Sequence, residues 1–152
     1  MSKKSVVENF EKQGRDAVVN TFGSKYAFIE SPERYDCWDL SGQTATNKNY
    51  FLEVKARQCV SDDYETALCE VKKWVHLTRL AEKYNADIHF VCTYLDGKLY
   101  SFPLNELPIL DFKQTIKWVL DETCYEEDEE RWVRKLFFEL PMEYGKEFKI
   151  KS

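Results

Sequence analysis

The chain has 152 residues, of which 43% are hydrophobic and 15% aromatic, so it can bury the core of one domain and is not a disordered tail. Lysine and arginine number 22 against 27 aspartates and glutamates, and the resulting charge of −5 argues against a nucleic-acid partner. No apolar run approaches the roughly 20 residues that span a bilayer, and Glu8 interrupts the stretch where a signal peptide needs apolar residues. We therefore expect one cytoplasmic domain over residues 1–152, with no membrane partner.

The first half of the chain predicts one helix followed by three strands. Apolar residues recur between residues 5 and 22 at the spacing of one helix face. Residues 26–29 predict a short strand. Residues 35–40 and 49–56 predict the two strands of a hairpin, joined by a polar loop over residues 41–48.

The second half predicts a helix, two strands and further helices. An apolar stripe from about residue 62 to 84 indicates an amphipathic helix. Residues 87–95 are apolar at both alternating sets of positions, as in a buried strand, and the Asp96-Gly97 turn leads to another strand at 98–102. The C-terminal part predicts helices at about 112–120 and 126–138.

This order of elements predicts an α/β fold with a mixed central β-sheet flanked by helices. The core covers about residues 5–104, and a helical C-terminal extension covers about 111–140. No repeat or linker divides the chain, so we expect a single domain.

The cysteines and the charge distribution limit the kinds of site and partner that the chain can have. The five cysteines are odd in number and include no C-x-x-C pair, which indicates free thiols rather than a disulfide framework or a structural zinc site. Residues 121–130 contain seven acids and no base, so the rest of the chain carries 22 bases and 20 acids. This acidic segment is typical of a solvated helix start; alternatively, it repels nucleic acid from one face or docks a basic partner.

The predicted strand 49–56 carries the residues with catalytic potential. Side chains alternate along a strand, so Glu53 and Lys55 share one face while Leu52, Val54 and Ala56 point to the other. Asp39 lies near the end of the preceding predicted strand, and the hairpin can bring its carboxylate beside Glu53.

Two converging carboxylates suit Mg²⁺, and a nearby lysine can act on an attacking water or a phosphate. The alternative is a Glu-x-Lys that arises by chance and forms an ordinary surface ion pair.

Asp39, thirteen intervening residues and Glu53-Val54-Lys55 resemble the D-x(n)-(D/E)-x-K signature of the PD-(D/E)xK nuclease superfamily. The predicted order of elements from residue 5 to 104 also resembles the αβββαββ core of that superfamily, which includes restriction endonucleases and Holliday-junction resolvases. The resemblance implies that Asp39 and Glu53 bind Mg²⁺ or Mn²⁺ and that Lys55 assists the water. The residue before Asp39 is Trp38, where the superfamily's name has proline.

The superfamily often adds a glutamate from the first helix, and this sequence offers two candidates. Glu11 lies on the apolar face of the predicted helix and is preferred on geometry, whereas Asp16 follows Gly14 as in some members. The helix after the signature often supplies a positioning residue, for which Glu70 and Lys73 are candidates. Asp36 competes with Asp39, but its three-residue offset places it on the opposite strand face.

The resemblance implies a Mg²⁺-dependent nuclease that hydrolyses phosphodiester bonds, in DNA before RNA, as an endonuclease or an exonuclease. A nuclease domain of this size needs a basic groove, a homodimer or a protein partner to hold DNA, and the sequence shows no obvious groove. The alternative function is a catalytically inactive nuclease-like fold that acts as a protein-interaction module through its acidic C-terminal segment.

Overall fold

The computed structural model describes residues 3–32, 38–121 and 131–151. These residues form two α-helices and nine β-strands. The helices are α1 (Lys3–Phe22) and α2 (Val71–Tyr84). The strands, in chain order, are β1 (Ile29–Glu30), β2 (Leu40–Gln43), β3 (Asn49–Ala56), β4 (Thr66–Glu70), β5 (Ala86–Thr93), β6 (Lys98–Pro103), β7 (Gln114–Leu120), β8 (Trp132–Pro141) and β9 (Lys146–Lys149).

Six strands form a mixed main sheet in the order β1-β2-β3-β5-β6-β9, in which β3 and β5 are parallel and the other pairs antiparallel. The parallel pair requires a crossover, and α2 lies within it, as in a βαβ unit. Strands β4, β8 and β7 form a second, antiparallel sheet. The predicted α/β fold with a mixed central sheet flanked by helices is therefore confirmed.

The two faces of the main sheet bury separate cores. On one face, Val18 of α1 packs with Leu52, Val54, Val91 and Leu99. The other face packs against α2 and the second sheet, where the buried members include Leu77, Ile88, Phe90, Cys92 and Phe138. Because side chains alternate along β3, this second face also receives Glu53 and Lys55.

The predicted C-terminal helices are wrong, because residues 114–120 and 132–141 are the antiparallel strands β7 and β8. Ile116, Trp118 and Leu120 recur with a period of two, which is the spacing of a strand rather than a helix. Most of the acidic segment that suggested a helix start, residues 122–130, lies outside the described residues.

Two further boundaries differ from the prediction. The helix expected from residue 62 begins at Val71, because residues 66–70 form β4 with Ala67 and Cys69 buried at alternate positions. Asp39 stands immediately before β2 instead of near the end of a preceding strand, while residues 33–37 lie outside the described residues. Neither α1 nor α2, the helices of the described segments, is long and apolar enough to cross a membrane.

Candidate active site on strand β3

Glu53 is the buried acid of the main sheet. It lies in the middle of β3, is only 3% exposed, and points to the face covered by α2 and the second sheet. A glutamate is rarely this buried unless it is paired or functional, because transferring its charge from water costs free energy. The position therefore differs from the exposed ion pair that was the alternative interpretation of Glu53 and Lys55.

Asp39 is fixed to β3 by its backbone and by its side chain. Its amide donates to the carbonyl of Leu52 at 2.8 Å, and its carbonyl accepts from the amide of Ser31 at 2.9 Å. Its carboxylate oxygen Oδ2 accepts from the amide of Val54 at 2.7 Å. These bonds hold the Asp39 carboxylate next to Glu53, as the hairpin argument predicted, although Asp39 precedes its strand.

The surroundings of Glu53 disfavour the charged form of its carboxyl group. Its pKa is raised from 4.5 to about 8, chiefly by burial and then by the charge of Asp39 and a side-chain hydrogen bond with Asp39, while Lys55 and Lys73 lower it. Its Oε1 is 3.7 Å from Nζ of Lys55, and its buried Oε2 has no hydrogen-bond partner. The site thus presents a carboxylate oxygen that an incoming cation would satisfy.

Two lysines flank this acid. Lys55 follows Glu53 on the same face of β3 and remains 37% exposed at its side chain, so it contacts both the acid and the solvent. Lys73 lies in the first turn of α2, close enough for its charge to lower the pKa of Glu53. Lys73 is one of the two positioning candidates that the sequence offered from the helix after the signature.

The candidate acids of α1 have different surroundings. Glu11 and Asp39 line one open cavity of about 460 Å³ between α1 and the start of β2, whereas Asp16 forms an i,i+4 ion pair with Lys12 at 3.0 Å. The structure therefore brings Glu11, and not Asp16, to the same cavity as Asp39. Glu11 is exposed there.

Of the two other candidate acids from the sequence, one has a structural partner and one lies outside the described residues. Glu70 precedes α2 and forms an ion pair with Lys135 of the second sheet at 3.6 Å. Asp36 lies outside the described residues. Trp38, which replaces the proline of the signature, packs edge-on against Phe51 at a ring distance of 5.6 Å.

The donor set fits a hard divalent cation with only part of its coordination supplied by the protein. Among the described residues, no three aspartate, glutamate, histidine or cysteine side chains converge on one point. Asp39 and Glu53 provide two carboxylates, one with an unsatisfied buried oxygen. Mg²⁺ is commonly bound in this way, by one or two carboxylates together with waters and substrate phosphates.

Comparison with known proteins supports the fold. No protein-family model matches the chain, and no curated protein matches its sequence. The structure is similar to that of Archaeoglobus fulgidus Hjc, a Holliday junction resolvase from an archaeal hyperthermophile, with a TM-score of 0.57 and 16% sequence identity. The similarity covers 91% of each chain. At this identity it shows a shared fold, which confirms at that level the resemblance predicted from the sequence.

Proposed function

We propose that this protein is a metal-dependent nuclease that hydrolyses phosphodiester bonds in DNA. The observation that carries the proposal is Glu53, a buried strand acid beside Asp39 whose Oε2 has no hydrogen-bond partner. A stable fold gains nothing from such a group, because its charged form is destabilising when it is buried beside a second acid. A divalent cation would reverse this effect by neutralising the two adjacent acids.

Asp39 and Glu53 would hold Mg²⁺ or Mn²⁺, and Glu11 would act through a water from the rim of its cavity. When bound, the metal would lower the pKa of a coordinated water and offset the charge that develops on the phosphate. The hydrogen bond from the Val54 amide fixes the orientation of the Asp39 carboxylate, so this ligand needs no reorganisation.

Lys55 would orient the attacking water and donate a hydrogen bond to the phosphate. Its stem comes from the same strand as Glu53, and its ammonium reaches the solvent beside that acid. Lys73 approaches from α2 and adds a second positive charge at the same place. Together they form the cationic border that a polyanionic substrate requires.

DNA is favoured as the substrate by the fold. The structural neighbour is a Holliday junction resolvase, and the similarity extends over 91% of this chain. The open cavity between α1 and β2 would admit a phosphate backbone to the acids from outside the sheet. A homodimer would add a second set of basic side chains to hold the DNA.

Metal binding and cleavage measured on the same samples test this proposal. Calorimetry with Mg²⁺ and Mn²⁺, together with a plasmid-nicking assay, compares the unmodified chain with Glu53→Ala. Glu82→Ala, which removes an exposed acid from α2 outside the site, is the matched control. We expect the unmodified chain and the control to bind metal and nick DNA, and Glu53→Ala to lose cleavage by about 1000-fold or more and to lose metal binding.

Circular dichroism establishes that the Glu53→Ala protein is folded. Nicking that survives in folded Glu53→Ala would contradict the assigned site. Absence of both metal binding and cleavage in the unmodified chain, on linear, nicked and branched DNA, would contradict the nuclease proposal itself.

One observation favours a second function, that of a protein-interaction module on an inactive nuclease-like fold. The β7–β8 hairpin exposes Ile116, Trp118 and Trp132 by 62%, 63% and 55%, and it leads directly into the acidic residues 121–130. Exposed aromatic side chains grouped on one strand pair are typical of a surface that contacts another macromolecule. A chain that neither binds metal nor cleaves DNA would make this the leading interpretation.

A further inference from the structure

A second cavity lies on the opposite face of the main sheet from Glu53. Helix α1 covers Val54, Val91 and Leu99 on this face but ends at Phe22, so it leaves the far part of the face uncovered. A cavity of about 340 Å³ occupies that part. Its volume lies at the lower end of the range for small-molecule sites, which is about 300–1,000 Å³.

Aromatic rings make up the apolar wall of this cavity, and they are fixed against one another. Tyr26 stacks on Phe28 at a ring distance of 5.3 Å and meets the edge of Tyr50 at 5.1 Å. Phe22 contacts Phe148 edge-on at 4.9 Å. These contacts hold the rings in place before any ligand arrives, so a flat ligand would lose little binding energy to reorganisation.

The floor of the cavity is polar, which is unusual for a face that continues a hydrophobic core. By the register of the sheet, Tyr50 is opposite Asp87, and Leu52 is opposite His89, so all four residues share this face. The hydroxyl of Ser101 is 3.0 Å from Nδ1 of His89, which leaves Nε2 as the ring nitrogen available to a ligand. Burial lowers the pKa of His89, which favours the neutral imidazole, with one ring nitrogen as donor and the other as acceptor.

Both acidic and basic side chains surround the polar floor of the cavity. The carboxylate of Asp87 is 3.3 Å from Nζ of Lys48, while Glu106 lines the cavity from an exposed turn. Lys146 lines it from the edge strand, with its ammonium 5.2 Å from the centre of the Phe148 ring. A ligand that matches these groups is flat, donates hydrogen bonds to carboxylates and carries an anionic group toward the edge strand.

We propose that this aromatic cavity binds a nucleotide whose base carries an exocyclic amino group, as in adenine or cytosine. The base would lie against the Tyr26 and Tyr50 rings, and its amino group would donate to the Glu106 carboxylate. Nε2 of His89 would meet a ring nitrogen, and Lys146 would meet the phosphate. The nucleotide can be free or part of a nucleic-acid strand, since both present the same chemistry.

This site is independent of the proposed nuclease centre. Tyr50 and Leu52 point to the face opposite Phe51, Glu53 and Lys55 on the same strand. Ligand binding in the cavity therefore requires neither the metal nor the acids that would hold it. An experiment in EDTA separates the two proposals, because chelation removes the metal and leaves the aromatic cavity intact.

Calorimetric titrations in EDTA with AMP, CMP and UMP test the inference. We expect AMP and CMP to bind, and UMP to bind at least about tenfold more weakly because it presents a carbonyl oxygen to the Glu106 carboxylate. Tyr26→Leu and Glu106→Ala should each weaken AMP binding by about tenfold. Glu82→Ala, an exposed acid on α2 that does not line the cavity, is the matched control and should leave AMP binding unchanged.

Titration with an oligo(dA) strand under the same conditions distinguishes the two sources of the nucleotide. If the strand binds more tightly than AMP and Tyr26→Leu removes the difference, the cavity holds a base of a nucleic acid. If AMP binds at least as tightly as the strand, the ligand is a free nucleotide.

Absence of binding by all three nucleotides and the strand would overturn the inference. Equal binding of AMP and UMP, or affinities that Tyr26→Leu and Glu106→Ala do not change, would overturn it as well. Glu106 lies in an exposed turn, so its variant keeps the test valid if the Tyr26 variant fails to fold.

Discussion

Glu53 and Glu147 are two acids of the same sheet whose pKa values are shifted in opposite directions. Each has a lysine nearby: Nζ of Lys55 is 3.7 Å from Glu53, and Nζ of Lys98 is 3.4 Å from Glu147. The pKa of Glu147 is lowered, chiefly because the Tyr100 hydroxyl donates a hydrogen bond to it at 2.7 Å. The pKa of Glu53 is raised because the residue is buried.

The difference shows that an ion pair by itself does not mark a functional acid. Glu147 is exposed on the edge strand β9, where water and Tyr100 satisfy its charge. Glu53 is buried, adjoins the like-charged Asp39 and keeps one oxygen without a hydrogen bond. Burial next to a second carboxylate distinguishes the candidate catalytic acid Glu53 from the exposed Glu147.

Replacing Lys55 and Lys98 in turn should give the largest difference in activity between the two acid–lysine pairs. We expect Lys55→Ala to reduce plasmid nicking by about 100-fold or more, because it removes the group that we propose to orient the water and stabilise the phosphate charge. The matched variant Lys98→Ala should leave nicking unchanged, although its lysine is as close to an acid. Single-turnover rates at saturating Mg²⁺ measure both. Equal losses in the two variants would show that the Lys55 effect is not local to the site.

The Glu53→Gln variant should be more stable than the unmodified chain in metal-free buffer at high pH. The folded pKa of Glu53, about 8, exceeds its ordinary value of 4.5, so the folded protein retains a proton that the unfolded chain releases between these values. The unmodified chain therefore loses stability as the pH rises through this window, and the loss is complete above about pH 8. Glutamine does not titrate and escapes this loss.

Urea unfolding in EDTA at pH 5 and pH 9 measures this difference. We expect Glu53→Gln to gain on the order of 4 kcal/mol relative to the unmodified chain between the two pH values, because the folded chain holds the extra proton over about three pH units of this range. Titrating groups that do not interact with Glu53 affect both proteins alike and cancel in the comparison. If the two proteins differ in free energy of unfolding by the same amount at pH 5 and pH 9, the pKa of Glu53 is not raised in the folded state.

The sequence predicted the elements that determine the site better than the rest of the fold. Hydrophobic spacing identified α1, β3, β5 and β6, and the face-to-face alternation of Leu52, Glu53 and Val54 followed from strand geometry alone. The C-terminal strands were missed because an acidic run resembles a helix start, whereas their pairing depends on contacts between β7, β8 and the distant β4. Such tertiary contacts leave only a weak local signal.

For the candidate site, the sequence predicted only the features that follow from local strand geometry. The shared face of Glu53 and Lys55 follows from their spacing, but the burial of Glu53 depends on α2 and the second sheet, which cover it. The proximity of Lys73 depends on where α2 begins, and that boundary was placed nine residues too early. The cavity around His89 depends on where α1 ends relative to the sheet, which spacing along one helix does not reveal.

The smallest expected effect comes from Glu147→Gln. The lowered pKa of Glu147 means that its charge favours the folded state above its ordinary pKa, and this contribution disappears as the pH falls through the folded value. The variant should therefore be slightly less stable than the unmodified chain at pH 7, and the difference should shrink as the pH falls below the ordinary pKa of the group. Because the group is exposed, the difference should shrink further in 1 M salt.

An NMR titration of Lys98 gives a more sensitive measure of the same interaction. The charge of Glu147 is the main cause of the raised pKa of Lys98, so Glu147→Gln should return that pKa toward its ordinary value. If the Lys98 pKa moves and stability barely changes, the pair is a surface ion pair of ordinary strength. If Glu147→Gln instead lost as much stability as Glu53→Gln gains, the exposed acid would affect stability as strongly as the buried one. That result would contradict the contrast between the two acids.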